Sequence, residues 1–451
     1  MQGWQIDTRV DHEKRARLGL GLDFHEWLVF LVMLSSFYVK SVQGKDQATP
    51  FDLFMAGIMV LLFALGLRFP RGMGWPLLFW GALLIGYGIG NMGAIYLDRA
   101  TPAFMATIYL VGVFLFFAAF VFQDPGRRLN IIFNAYSAAA VCAALAGIGG
   151  YFGFLPPEIF TDFGRASGTF NDPNVFGPYL VAPAIYLGLR VSKAHAGMAL
   201  LLMIPLGILL LGLLLSFSRG AWGAFILSSA IFMWLTLATS TSARQTMRLI
   251  MFASGMMIFV ALVLVIALST PQIAALFAER ATLMQDYDVS QQGGRFASQA
   301  DAFLQALHVP WGIGQNQWAI INKLDTHNVY LHVLVAGGWL SGLSFVGLLL
   351  TTIWRGWRAA HVPGPGQAVL IVALAAIIGH CAEAVIIDID NWRHFFVLLG
   401  SLWGGILWAE NSLKEQGRSA PDASIRTCQP SWGADMGSGA ISGFQGQGLP
   451  R

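Results

Sequence analysis

The sequence predicts an all-α, polytopic integral membrane protein with about twelve transmembrane helices and one large periplasmic loop. Three observations carry this. Hydrophobic residues make up 56% of the 451-residue chain and charged residues 11%, against roughly 25% charged in an ordinary soluble domain. Apolar runs long enough to cross a hydrocarbon core of about 30 Å recur along the chain, and they are continuous rather than alternating, so they read as helices and not as barrel strands. Paired cations occupy every second connection between the runs, as expected of cytoplasmic loops.

Taken in order, residues 1–25 form a charged N-terminal segment with Arg9, Lys14, Arg15 and Arg17. The run that follows lacks a small-residue cleavage site, which predicts a retained signal-anchor helix. Residues 26–269 hold nine runs, near 26–39, 51–67, 75–96, 103–122, 130–154, 174–189, 197–215, 220–238 and 249–269. Residues 270–326 form the long loop with its amphipathic helices. Residues 327–412 hold three more runs, near 327–353, 367–387 and 394–410, and 413–451 read as a disordered tail rich in Gly, Ser, Gln and Pro. The basic connections carry Arg68 and Arg71, Arg127 and Arg128, Arg190 and Lys193, Arg244 and Arg248, Arg355 and Arg358. Both termini share that side, so both are expected to be cytoplasmic. Cys142, Cys381 and Cys428 lie in two separate runs and the tail, where they read as small hydrophobes rather than as a disulfide or metal site.

The informative cations are those on the opposite side, where they work against topology: Lys40, Lys45, Arg99, Arg165, Arg219, Arg280, Arg295, Lys323 and Arg393. For Lys40, Lys45, Arg99 and Lys323 an ordinary solvated loop charge is the expected reading. Arg165 lies in a loop of turn-forming residues, Gly164 to Asn174, that reads equally as a ligand cradle or a re-entrant turn. Arg219, between Ser218 and Gly220, stands almost within the membrane, so anion binding is favoured over snorkelling. In the long loop, Arg280 shares the stripe of Ile273, Leu276, Phe277 and Met284, while Gln291 to Arg295 read as a turn able to hold phosphate. Phe296, Phe303, Leu304 and Leu307 give the next helix an apolar face suited to the membrane surface or to capping the bundle.

The loop ends Asp325-Thr326-His327-Asn328 and passes directly into the tenth run, which sets a histidine at the membrane boundary. His380 and Glu383, three apart in the eleventh run, read as a buried structural pair. Asp388, Asp390 and Arg393 emerge on the outer side, where they could orient the arginines or the histidine. Several arginines and one histidine on one face suit a reaction in which guanidinium groups hold a leaving diphosphate and an imidazole takes a proton from a hydroxyl. No DxD-like or His/Cys ligand cluster occurs on the outer loops, so neither a metal nor another cofactor is expected, and no nucleic-acid partner is expected.

These residues resemble the O-antigen ligase and polymerase superfamily of bacterial inner membranes. The resemblance rests on the Gly168 to Asn174 loop, the Ser216-Phe217-Ser218-Arg219-Gly220 turn, Gly294-Arg295-Phe296 in the large loop, and Thr326-His327-Asn328-Val329-Tyr330 opening a helix. It implies that Arg219 and Arg295 engage a donor diphosphate and that His327 is the essential histidine, with Arg165 and Arg280 as further candidates. Asp325, Asn328, Asp388, Asp390 and Arg393 are the candidate orienting groups. The ligase-type motif is matched at His327, Asn328 and Gly338, whereas Ser341 stands where Gly, Thr or Tyr belongs. The resemblance implies a metal-independent, inverting transfer of glycan from undecaprenyl diphosphate to the lipid A-core oligosaccharide, on the periplasmic face of a Gram-negative inner membrane. O-antigen polymerase and protein O-oligosaccharyltransferase share the donor. A transporter or flippase for an anionic lipid is the alternative of another class, which the lack of an internal repeat disfavours.

Overall fold

A computed structural model of the chain describes residues 22–36, 49–280 and 294–426. The N-terminal cations, Lys40 and Lys45, residues 291–293 of the expected phosphate turn, Cys428 and the side chain of Arg280 lie outside the described residues. In order, the helices are α1 (Phe24–Ser35), α2 (Pro50–Ala64), α3 (Gly74–Met92), α4 (Leu97–Gln123), α5 (Pro125–Tyr151) and the short α6 (Pro157–Phe160). A two-residue hairpin, β1 (Thr161–Asp162) and β2 (Arg165–Ala166), leads to α7 (Pro173–Lys193), α8 (Ala196–Leu215), α9 (Arg219–Ala238) and α10 (Ala243–Leu268). The long loop contains α11 (Pro271–Arg280), α12 (Arg295–His308) and α13 (Gln317–Asn322), and α14 (Val329–Ala360), α15 (Gln367–Glu383) and α16 (Arg393–Arg426) complete the chain.

Each apolar run of the sequence holds one helix. Seven of these, α4, α5, α7, α8, α9, α10 and α14, are long and apolar enough to cross a membrane, and α1, α2 and α15 are shorter apolar helices. The helical body ends at Glu410. Helix continues beyond residue 412, where the sequence reading begins a disordered tail, through Lys414-Glu415-Gln416, whose straight-chain residues favour it.

The core lies where α4, α5, α7, α15 and the first part of α16 meet, with Phe114, Phe116, Phe117, Phe133, Tyr136, Tyr186 and Trp403 buried. Small residues set the closest approaches, as in other membrane bundles. A Cβ at Gly404 would stand 2.7 Å from the Ala118 carbonyl oxygen, and one at Gly86 2.7 Å from that of Gly337. The second contact joins α3 to α14, where the buried Ser341 hydroxyl donates to the Leu83 carbonyl at 2.8 Å. Ser341, the one departure from the ligase-type motif, thus holds two helices together.

Helix α14 is broken within the bundle. Gly338 has φ 70° and ψ −170°, a region open essentially to glycine alone. The segment after α12 docks on the break: Ile313 N donates to Val335 O at 2.9 Å, Gly314 N to Ala336 O at 3.0 Å, and Trp339 N to Pro310 O at 2.9 Å. These bonds serve carbonyls and an amide that the interrupted helix leaves without intrahelical partners.

Candidate functional site

The His327 junction is built by its cap. Asn328 precedes α14 in extended conformation, and its Oδ1 accepts from Tyr330 N at 3.1 Å and Leu331 N at 3.3 Å, satisfying two of the amides that a helix start leaves over. His327 sits one residue earlier with φ 46°, a conformation uncommon outside glycine and often found at functional positions. Bonds from two directions hold this backbone. Val329 N donates to Ala384 O at 3.0 Å, and the Tyr330 hydroxyl donates to Cys381 O at 2.7 Å, tying the junction to the end of α15. From α12, Ser298 Oγ donates to Asp325 O at 3.4 Å and Gln299 Nε2 reaches His327 O at 3.5 Å.

Those last two contacts decide where Arg295 lies. Arg295 opens α12, less than one turn before Ser298. The small face of the helix, Ser298, Ala302 and Ala306, is buried, and the Trp339 indole donates to Ala306 O at 3.1 Å. Phe296, Phe303, Leu304 and Leu307 stay exposed on the other face, so α12 caps the bundle with its small residues and turns its apolar face outward.

Arg219 belongs to a second arm. Phe217 takes φ 47°, and Ser218 caps α9 by accepting from Ala221 N at 3.4 Å, which leaves half-buried Arg219 as the first helical residue. The next position packs closely on the end of α15: a Cβ at Gly220 would stand 2.8 Å from Glu383 Oε1. The heads of α9 and α14 therefore meet the same end of α15. Arg165 is buried and clamps this arm from behind, donating from Nε to Ser216 O and from Nη2 to Asn174 Oδ1, both at 2.8 Å. Arg393 lies apart from these groups: its Nε and Nη2 donate to the two carboxylate oxygens of Asp52 at 2.7 and 2.6 Å, fastening the head of α16 to α2.

One residue that the sequence reading missed organises the acids. His332, in the second turn of α14, faces Asp325 Oδ1 from Nδ1 at 3.6 Å and Asp390 Oδ2 from Nε2 at 3.7 Å. Thr326 Oγ1 donates to Asp388 Oδ1 at 3.4 Å, so the third acid joins the same cluster. The rule that an ionisable residue within a membrane helix is suspect applies to His332 as it does to Arg219, and is the signal that could have found it. Among the described residues, Asp325, His332 and Asp388 bring ligand atoms within 4.8 Å of one another and so could hold a metal ion. The imidazole already faces a carboxylate from each ring nitrogen.

The environments of these acids differ. Burial pushes Asp325 up, but the imidazole of His332, the Thr326 amide and His327 outweigh it and hold the carboxyl at about 2. Burial raises Asp388 to about 7; His332 opposes the shift, and Asp325 and Asp390 add to it. An acid whose folded value exceeds its unfolded one keeps its proton longer in the folded state, so its ionisation lowers stability as pH rises from about 4 to about 7. Asp325, shifted the other way, loses its contribution only as pH falls from about 4 toward 2. Asp388→Asn is thus expected to flatten the fall in Tm between pH 5 and 7.5, as read by thermal unfolding in detergent. Equal slopes in the two proteins would count against the assignment.

His380 and Glu383 are buried together, Nδ1 to Oε2 at 3.7 Å, against the rings of Trp392 and His394. They form the structural pair expected of the eleventh run. Arg280 ends α11, whose Ile273 is buried and whose Phe277 ring lies 5.3 Å from that of Trp222 on α9.

Residues 204–346, from within α8 to within α14, match the family model described as O-Antigen ligase. No curated protein matches the chain.

Proposed function

With that match supporting membership of the O-antigen ligase/polymerase superfamily, we propose that the chain is the ligase, an inverting glycosyltransferase working without a metal. It moves O-antigen glycan from undecaprenyl diphosphate to a hydroxyl of the lipid A-core oligosaccharide at the periplasmic face of the inner membrane. The family itself implies a ligase or glycosyltransferase-type enzyme in a membrane.

The observation that carries the reading is the convergence at the end of α15. It is met by the junction bearing His327 and by the head of α9 bearing Arg219, and the α12 cap that begins with Arg295 is bonded to that junction through the Asp325 and His327 carbonyls. In the proposed reaction, His327 takes the proton of the acceptor hydroxyl as its oxygen attacks the anomeric carbon. The bond from that carbon to the diphosphate breaks, and Arg219 and Arg295 neutralise the departing charge. Arg165 supports Arg219 by fixing the Ser216 turn, and Arg280, at the end of α11, is the further candidate for the diphosphate. The pair of Asp325 and His332 positions the His327 loop, while Asp388 and Asp390 hold His332 in turn. Asn328 fixes the helix start and Arg393 the opposite helix.

The test is restoration of long-chain lipopolysaccharide in a ligase-deficient Gram-negative strain that makes a compatible glycan. A ladder that needs an intact lipid A-core acceptor is expected. Longer glycans on the lipid donor without transfer to the core would identify a polymerase, glycan on protein a protein O-oligosaccharyltransferase, and movement of donor without any acceptor a transporter.

A further inference from the structure

A cavity lies at the other end of the bundle from His327. Helix direction identifies that end: α7 and α9 finish there, at Lys193 and Ala238, and α10 and α15 begin there, at Ala243 and Gln367. The cavity has a volume of about 460 Å³ and is lined by Lys193, Arg244 and Arg248 together with the hydroxyls of Ser192, Thr236 and Thr239. No Asp or Glu lines it, and among the described residues none of the three cations makes an ion pair.

Three like charges around one concavity repel one another, and an anion placed between them removes the repulsion while accepting from ammonium and guanidinium donors. Phosphate suits this donor set, because its several oxygens can face the cations of α7 and α10 at once. The flank of the cavity suits an acyl chain. Only 6% of the most apolar stretch of α10 is buried, and Met247, Ile250 and Met251, beside the cavity's Arg248, are exposed. We propose that this cavity binds a phosphate group, and that the group is the headgroup of an anionic phospholipid whose tails lie along α10. The site is independent of the reaction at His327.

The experiment uses the purified full-length chain in uncharged detergent. Binding is read by native mass spectrometry and by the shift in Tm on titration with phosphatidylglycerol, with phosphatidylcholine of the same tails, and with inorganic phosphate. The wild type is compared with Lys193→Gln/Arg244→Gln/Arg248→Gln and with a control of equal charge loss, Arg68→Gln/Arg71→Gln/Arg358→Gln. Phosphatidylglycerol is expected to bind about tenfold or more tightly than phosphatidylcholine, with the preference lost in the first variant, kept in the control and weakened by salt. Inorganic phosphate binding as well as the lipid, with the same loss in the first variant, would establish the phosphate site and assign it to a free anion. Unchanged binding in the first variant, or equal loss in the control, overturns the proposal. Should the first variant fail to fold, Arg244→Gln alone, folded and stable, is read by the same criteria.

Discussion

Replacing His327 by alanine is expected to abolish the long-chain ladder at matched expression, with turnover reduced about 10²- to 10⁴-fold, the range typical of removing a general base. The fold is expected to survive, because the junction is held by backbone atoms and by the Asn328 and Tyr330 side chains. His332→Gln separates the two histidines. Its loss frees Asp325 and Asp390 from their partner without removing the group assigned to the proton, so a smaller defect is expected than for His327→Ala. Transfer kinetics on donor and acceptor in detergent provide the measurement. An enzyme that retains its rate without His327, or loses as much with His332→Gln, would move the base elsewhere.

The second large effect is structural. Gly338→Ala places a methyl group against the Pro310 carbonyl oxygen and 2.5 Å from the Trp311 carbonyl carbon, at a φ that alanine rarely adopts. Backbone strain of this kind costs on the order of 1–3 kcal/mol, and the steric overlap adds to it. Loss of folded protein, or detachment of Pro310–Gly314 with loss of transfer, is expected. Gly88→Ala is the control, since a Cβ there meets nothing within 4 Å in α3. Fluorescence-detected gel filtration of the two variants distinguishes them, and equal yields and Tm values would show that the break at Gly338 is dispensable.

Much of this was legible in the sequence. The apolar runs place the helices because a hydrocarbon span imposes a length that composition reveals directly. Arg219, Arg295 and the His327 junction stand out locally as candidates, a charge at a membrane edge, a glycine-flanked turn and a helix start, and the cap at that start is present in the structure. What long-range partners decide was hidden. Nothing near Arg393 announces that Asp52 will neutralise it from α2, and nothing near Arg165 announces that the carbonyl at the end of α8 will receive it. His332 passed as one polar residue in an apolar run because two of its acids arrive from a loop more than fifty residues later. Gly338 was visible as a motif position, but its φ and the segment that docks on it come from the tertiary structure.

The break at Gly338 also changes what carries the histidine. Two backbone bonds stitch the residues of α14 before it to Ile313 and Gly314, and Trp339, just past it, is bonded to Pro310 and to α12, so this end of α14 is fastened to the outer loop as well as to the bundle. His327 and Arg295 ride on this one platform, and Arg219 rides on the bundle. The gap between them is set along the seam where Val329 and Tyr330 meet Ala384 and Cys381, with Gly337 packed against Gly86 of α3 as a second hold. A substrate clasped between platform and bundle would load that seam like the hinge of a jaw.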